Sequence, residues 1–125
     1  MSKSARFVPT NRLGVYDVVN NEGKDMGQVQ NFVVDMQTGR IAFVMVAFGG
    51  SLGMGDKWFA MPWNVLKWHP ETKKFILDMP AEKLKNAPGL DKGKWLEEID
   101  KWQKEEDLVW LDSVYKHYGY EPYWY

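Results

Sequence analysis

Few side chains in this sequence have the chemistry of an acid–base catalyst or a metal ligand. His69 and His117 stand in different predicted elements, without the spacing of a zinc motif such as HExxH. Asp17, Asp35 and Asp56 stand at predicted loop edges; a buried pair could perform acid–base catalysis, but turn aspartates ordinarily accept backbone N–H bonds. The chain has no cysteine and no GxSxG pattern, which leaves no thiolate site and no support for a serine nucleophile. The sequence therefore predicts a protein that is not an enzyme, without catalytic residues, metal site or cofactor.

A glycine-rich stretch, VAFGGSLGMGDKWFAMPW from Val46 to Trp63, is the second candidate for chemistry. A phosphate-binding loop needs a helix directly after its glycines and a spacing such as GxxxxGK[ST] or GxGxxG. Neither spacing is present, and the strand-like Trp58-Phe59-Ala60 follows the loop. The order strand, glycine loop, strand predicts a hairpin rather than an anion site. The glycines concerned are Gly49, Gly50, Gly53 and Gly55.

Short strand-like segments must position these residues over the first two-thirds of the chain. Ile41–Phe48 is apolar on both faces, which predicts a central strand covered on both sides. We expect an irregularity near Asn31, a positive φ at Gly39 and Pro62 at a strand end. The methionines are predicted to fill the core: Met26, Met36, Met45, Met54, Met61 and Met79. The strand-like segments are residues 13–19, 26–36, 41–48, 58–63, 65–68 and 73–78, and five or six of them at this spacing predict a small barrel or sandwich.

The sequence changes to a helical pattern after Pro80. Ala81–Gly89 is predicted to form one or two helical turns, with Pro80 at the first helical position and Pro88-Gly89 as a stop. Apolar residues then recur at helical spacing in two runs, which predicts two helical segments with a break near Glu106 or Asp107, or alternatively one bent helix, and an end at Gly119. The runs are Trp95, Ile99, Trp102 and Leu108, Leu111, Tyr115, Tyr118.

A set of short motifs follows a recognisable order along the strand-rich region. The motifs are Gly14, Glu22-Gly23, Met26-Gly27-Gln28-Val29, Asp35…Thr38-Gly39-Arg40-Ile41, the Gly-Gly…Gly-Asp-Lys loop and Ala60-Met61-Pro62-Trp63. This set, covering about Asn11 to Met79, resembles the PRC-barrel family, a small β-barrel module named for the H subunit of the photosynthetic reaction centre. The stretches KNAPGLDKGKW and HYGYEPYW are similar to the tails of bacterial stand-alone members. The same barrel is the second domain of a small-subunit ribosome maturation factor, where it contacts a ribosomal protein.

The resemblance implies a mainly β fold and a function in binding. It implies a small PRC-type β-barrel of five to six short strands over residues 1–79. Residues 80–125 would form a C-terminal α-helical and aromatic extension that packs on the barrel or on a second subunit. The module would serve in binding and assembly, without chemistry of its own. The chain shows neither the membrane helix of the reaction-centre subunit nor the separate N-terminal domain of the maturation factor, so neither role carries over directly.

Charge is distributed unevenly, although the net charge is only −1. Residues 1–90 carry 11 Lys and Arg against 8 Asp and Glu, or +3, whereas residues 91–125 carry 5 against 9, or −4. Nothing in this balance attracts nucleic acid or anionic lipid, and Lys67, Lys73 and Lys74 form only a weak basic cluster. No apolar run reaches the length of a membrane span or a signal peptide. We therefore predict a cytoplasmic protein, with neither a membrane nor a nucleic acid as partner.

Aromatic residues are concentrated at the C-terminus, where an exposed group of this kind would be an interface or an aggregation hazard. Two interpretations remain open. The tail could fold back and seal one face of its own barrel, near Trp58, Trp63 or Trp68, or it could pack on a second subunit or a protein partner. The residues predicted to form such an interface are Trp110, Tyr115, Tyr118, Tyr120, Tyr123, Trp124 and Tyr125.

Two hypotheses about function follow from these observations. The first is a non-enzymatic protein–protein adaptor or assembly module that forms homo-oligomers and binds an unidentified protein. The second is a small-ligand or sensory binding module, with a cleft framed by the glycine loop, Trp58 and Trp63.

Overall fold

A computed structural model of the protein describes residues 6–9, 11, 16–49, 57–102 and 105–124. Its centre is a sheet of seven strands in the order β5-β6-β1-β2-β3-β4-β7. All neighbouring strands are antiparallel except β1 and β6, which are parallel. The strands are β1 Asp17–Val19, β2 Asp25–Asp35, β3 Arg40–Phe48, β4 Lys57–Met61, β5 Lys67–His69, β6 Lys74–Ile76 and β7 Gly89–Asp91.

The mainly β fold is confirmed, but two details of the predicted barrel are wrong. The sheet has seven strands rather than five or six, because Gly89–Asp91 pairs with β4 where a helix stop was expected. Within the described part of the chain the sheet is also not closed by hydrogen bonds, since it ends at β5 on one side and β7 on the other. The strand β7 lies beyond the predicted boundary at residue 79, so the C-terminal extension supplies one edge of the sheet.

The β2–β3 hairpin is the longest element of the sheet, and its tip forms as the sequence predicts. Gly39 has φ +77° and donates its N–H to the Asp35 carbonyl over 2.8 Å. The expected irregularity near Asn31 is a bulge, because the register moves from Val29 opposite Val46 to Asn31 opposite Met45. A second bulge separates the pairs Val33–Phe43 and Val34–Ile41, which leaves Ala42 as the extra residue on β3.

Strand β3 is covered on both faces, as its continuous apolar pattern predicts. Its residues from Ala42 to Val46 are all buried. On one face, Val44 lies opposite Phe32, whose ring is 5.4 Å from the Trp63 ring. On the other face, the Phe43 ring contacts two tryptophans of the C-terminal extension. The extension therefore covers the outer face of the central strand.

Three α-helices follow the sixth strand: α1 Ala81–Lys85, α2 Trp95–Asp100 and α3 Val109–His117. Short 3-10 helices span Trp63–Val65 and Glu105–Leu108, and the second of these leads directly into α3. The predicted break in the helical region exists, but the first helix already ends at Asp100, earlier than expected. Pro80 is the N-cap of α1 rather than its first helical residue. No helix among the described residues is long and apolar enough to cross a membrane.

The glycine-rich stretch joins two antiparallel neighbours in the sheet. Strand β3 ends at Phe48 and β4 begins at Lys57, and the two strands pair along Val44–Val46. This pairing confirms the hairpin; Gly50, Gly53 and Gly55, together with Asp56 and Met54, lie outside the described residues. Among the methionines, Met26, Met45 and Met61 are buried as predicted, Met79 is half-buried, and Met36 is 87% exposed because it stands at the β2–β3 turn.

Candidate functional site

A cleft of about 560 Å³ lies between the end of the β2–β3 hairpin and the C-terminal extension. The hairpin contributes residues 33–38 together with Ala42 and Phe43. The helical region contributes Ile99, Trp102, Leu108 and Leu111, and the tail contributes Tyr123 and Trp124. The cleft lies at one end of β3 and the glycine loop at the other. The ligand cleft that the sequence predicts was expected beside the glycine loop.

A glycine-dependent turn brings the tail to this cleft. Helix α3 ends with Gly119 in the left-handed conformation, at φ +81°. The Gly119 N–H donates to the Lys116 carbonyl over 3.1 Å, and the Tyr120 N–H donates to the Tyr115 carbonyl over 3.0 Å. These are the two hydrogen bonds of a Schellman motif, which ends a helix and reverses the chain. Residues 120–124 therefore run back toward the β2–β3 hairpin.

Tyr115 fastens helix α3 to the bulge in β3. Its hydroxyl donates a buried hydrogen bond to the carbonyl of Ala42, the residue that the bulge leaves without a partner in the β2–β3 register. A buried carbonyl outside a ladder needs a donor from elsewhere, and the phenol supplies it. Burial raises the pKa of Tyr115 to about 12, against a smaller opposing effect of the Arg40 charge.

Tyr123 is held by two charged residues that face each other across the hairpin, Asp35 and Arg40. Its hydroxyl donates to Asp35 Oδ2 over 2.7 Å, and the Arg40 guanidinium lies 4.9 Å from its ring centroid. Asp35 Oδ1 accepts the Gln37 N–H over 3.0 Å, which is the turn chemistry predicted for this carboxylate.

The hydrogen bond between Tyr123 and Asp35 lowers the pKa of the carboxyl group and, together with burial, raises the pKa of the phenol. The hydrogen bond from the Tyr123 hydroxyl lowers the pKa of the Asp35 carboxyl, while partial burial acts against that change. Burial, followed by the hydrogen bond to Asp35, raises the pKa of Tyr123 well above its ordinary value. The pair therefore consists of an ionised carboxylate and a neutral phenol at neutral pH.

The residues predicted to form an interface lie in several environments. Tyr115 and Tyr118 are buried within the chain, and burial raises the pKa of Tyr118 well above its ordinary value. The Trp110 ring packs 6.3 Å from Phe43, and Trp124 packs 5.0 Å from Tyr115. Tyr120 is 37% exposed, and its hydroxyl is 3.4 Å from the Asn64 carbonyl. Tyr125 lies outside the described residues.

The described tail packs on its own chain, but at the hairpin rather than where the sequence analysis placed it. The expected contacts were Trp58, Trp63 and Trp68. Instead, Trp58 packs on Trp95 of α2, with ring centroids 5.8 Å apart. The Tyr120 hydroxyl lies 3.4 Å from the carbonyl of Asn64, the residue after Trp63.

His69, His117 and Asp17 each lie within hydrogen-bonding distance of a group that is not charged. His69 Nδ1 lies 3.1 Å from the Thr72 hydroxyl within the β5–β6 turn. His117 Nε2 lies 2.9 Å from the Lys83 carbonyl and joins α3 to α1. Asp17 Oδ1 accepts a hydrogen bond from the Gln28 amide over 3.1 Å. Among the residues that the structure describes, no three His, Asp or Glu side chains are grouped to hold a metal ion.

The comparison with family models decides the relationship of this chain to known proteins. A model described as the PRC-barrel domain matches residues 8–84, more than half of the chain. The chain belongs to the PRC-barrel family. The resemblance in the sequence is thereby confirmed, and it extends through most of helix α1. A search of curated proteins found no match.

The cleft lies at the junction of the PRC-barrel match with the C-terminal extension, and sequence reasoning did not find it. Asp35 was interpreted as a turn residue, which it is, but Tyr123 approaches it from 88 residues away. No local pattern marks such a pair. The aromatic content of the tail was the available signal, and it identified Tyr123 and Trp124 without their partners.

Proposed function

We propose that this PRC-barrel protein is a non-enzymatic adaptor or assembly module that associates with itself. The observation that carries this proposal is an exposed apolar border at the mouth of the cleft. Met36 is 87% exposed and Val34 is 43% exposed, and both adjoin the apolar lining. Contiguous apolar surface of this kind is typical of interaction sites.

The distribution of charge supports self-association. Residues 1–90 carry +3 and residues 91–125 carry −4, so each copy has a basic part and an acidic part. Complementary surfaces steer association and fix orientation, and a second copy supplies both signs.

The experiment is to measure the molar mass of the full chain in solution over micromolar concentrations, with the variant Met36→Lys. We expect oligomers whose dissociation constant rises on the order of tenfold in the variant, because a charge is costly at an apolar contact. Leu96→Lys is the matched control: Leu96 is 59% exposed on α2 and does not line the cleft. A wild-type monomer that retains no protein partner from its source cell would contradict the proposal.

A second candidate function, the binding of a small ligand, is favoured by the cleft itself. Its volume of about 560 Å³ falls within the range of small-molecule sites, roughly 300–1,000 Å³. The cleft predicted near Trp58 and Trp63 would be framed by the glycine loop, most of which lies outside the described residues; the rings of these two tryptophans pack against Trp95 and Phe75 respectively. Quenching of tryptophan fluorescence by a panel of metabolites would test this second function, because Trp102 and Trp124 line the observed cleft.

A further inference from the structure

We infer that the cleft between the β2–β3 hairpin and the tail binds a small organic cation, with its apolar body against the aromatic wall and its ammonium group facing Asp35. The inference rests on the second candidate function, ligand binding, and its test is separate from the test of self-association.

The sign of the charge in the cleft gives the first argument. Asp35 carries the one charged side chain among the described lining residues. Its pKa is lowered, so the carboxylate is ionised at neutral pH. An anionic group in an apolar cleft is complementary to a cation.

The composition of the wall gives the second argument. Among the described residues, four aromatic side chains line the cleft: Phe43, Trp102, Tyr123 and Trp124. The faces of such rings attract cations, and indole does so most strongly. The protein already uses this attraction at the site, since the Arg40 guanidinium lies 4.9 Å from the Tyr123 ring centroid. Arg40 is not among the described residues that line the cleft.

The carboxylate is held in a fixed direction, which gives the third argument. Gln37 and Tyr123 each donate one hydrogen bond, to Oδ1 and Oδ2 respectively. Thr38 also lowers the pKa of this carboxyl through hydrogen bonds from its N–H and its side chain, so most of the roughly four acceptor positions of the carboxylate are in use and an ammonium donor would share one of them. A positioned acceptor avoids part of the ordering cost of binding.

The ligand would have a body of aromatic or aliphatic character and one cationic end. Ile99, Leu108 and Leu111 supply aliphatic surface beside the rings. Anionic ligands are disfavoured because the negative charge of Asp35 would repel them at close range. Neutral ligands of the same shape would gain the apolar contact without the charge-assisted hydrogen bond.

The test is titration of the full chain with three molecules of matched shape: phenylbutylammonium, phenylbutanol and phenylbutyrate. Binding is followed by calorimetry and by tryptophan fluorescence. We expect the ammonium compound to bind about ten- to hundred-fold more tightly than the alcohol, the range that corresponds to a charged hydrogen bond, and the carboxylate compound to bind least. The ammonium compound should also raise the melting temperature.

Two variants identify the group responsible. Asp35→Asn keeps the shape and an acceptor for Tyr123, and should reduce the affinity for the ammonium compound to that for the alcohol. Arg40→Gln removes a nearby positive charge, and should leave that affinity unchanged or increase it. A cooperative thermal unfolding transition of each unliganded variant would show that it folds.

Each other outcome overturns the inference. If the three molecules bind with equal affinity, the cleft is a ligand site without preference for cations, and the second candidate function stands. If none binds at millimolar concentration, both the inference and that candidate function fail. If the ammonium compound binds equally well to Asp35→Asn, it binds elsewhere. The adaptor proposal is unaffected in all three cases, because its test is the molar mass in solution.

Discussion

The hydroxyl of Tyr115 donates a buried hydrogen bond to the carbonyl of Ala42, 73 residues earlier in the chain. A bulge in β3 leaves Ala42 outside the β2–β3 register, and a side chain of the C-terminal helix satisfies its carbonyl. The PRC-barrel sheet and its extension are thus joined at an irregular point of the sheet. The same end of the hairpin carries Asp35 and Arg40, which hold the tail through Tyr123.

The first prediction concerns this hydrogen bond. Tyr115→Phe should lower the free energy of unfolding by about 1–3 kcal/mol, because it removes the hydroxyl that donates to the buried Ala42 carbonyl. Urea denaturation would measure the change.

Tyr118→Phe is the matched control for that experiment. The Tyr118 hydroxyl is buried without a hydrogen-bond partner among the described groups, so its removal should be neutral or stabilising by up to about 1 kcal/mol. An equal loss in both variants would show that the Tyr115 bond has no particular role.

The second prediction concerns the reversal of the chain at Gly119. Gly119→Ala should destabilise the protein by about 1–2 kcal/mol, although the added Cβ would meet no atom within 4 Å, because φ there is +81°. Gly49→Ala has the same open space without a left-handed φ, and should change stability by less than about 0.5 kcal/mol. Thermal unfolding of both variants would check this, and equal melting temperatures would contradict the role of the Schellman motif.

Local sequence patterns predicted most of the sheet, because they depend on interactions between near neighbours. The strand-like segment of β2, the doubly apolar β3 and the positive φ at Gly39 all follow from residues within a few positions. Strand β7 escaped prediction because Gly89, Leu90 and Asp91 are too few to show alternation, and the strand exists through its pairing with β4. A short edge strand of this kind is specified by tertiary contact.

The candidate site was harder to predict from the sequence, because it too depends on tertiary contacts. Asp35 and Arg40 could be assigned to a turn, but nothing near them in the sequence indicates that Tyr123, 88 residues after Asp35, contacts both of them. Whether the sheet closes into a barrel also depends on long-range contacts, since closure requires the edge strands β5 and β7 to pair.

The third prediction is a change in the acid stability of the protein. The pKa of Asp35 is lowered in the folded state, chiefly by the hydrogen bond from Tyr123. A lowered folded pKa adds stability above the unfolded value near 3.9, and this stability is lost as the pH falls through the folded pKa. Tyr123→Phe removes the main cause, so its stability should fall less than that of the wild type between pH 5 and pH 2.

Urea midpoints at several pH values in this range would measure the third prediction. Asp35→Asn is a second check, because it removes the titrating group and should also reduce the loss of stability as the pH falls. If the wild type and both variants lose the same amount of stability between pH 5 and pH 2, the contact does not contribute to acid stability.

The fourth prediction is a loss of stability at alkaline pH. Burial raises the pKa of Tyr115 to about 12, and the pKa values of Tyr118 and Tyr123 are raised further. A raised folded pKa means that the stability is fully present below the unfolded value near 10 and is lost as the pH rises through the folded pKa. Above pH 10, each such phenol adds about 1.4 kcal/mol per pH unit to the rate at which the free energy of unfolding falls with pH.

Tyr118→Phe should therefore reduce this alkaline slope by about the contribution of one phenol. Tyr16→Phe, on a phenol that is not fully buried, serves as the control. Denaturation curves from pH 8 to pH 11.5 would measure both slopes, and a slope for Tyr118→Phe equal to that of the wild type would mean that this phenol ionises while the protein stays folded.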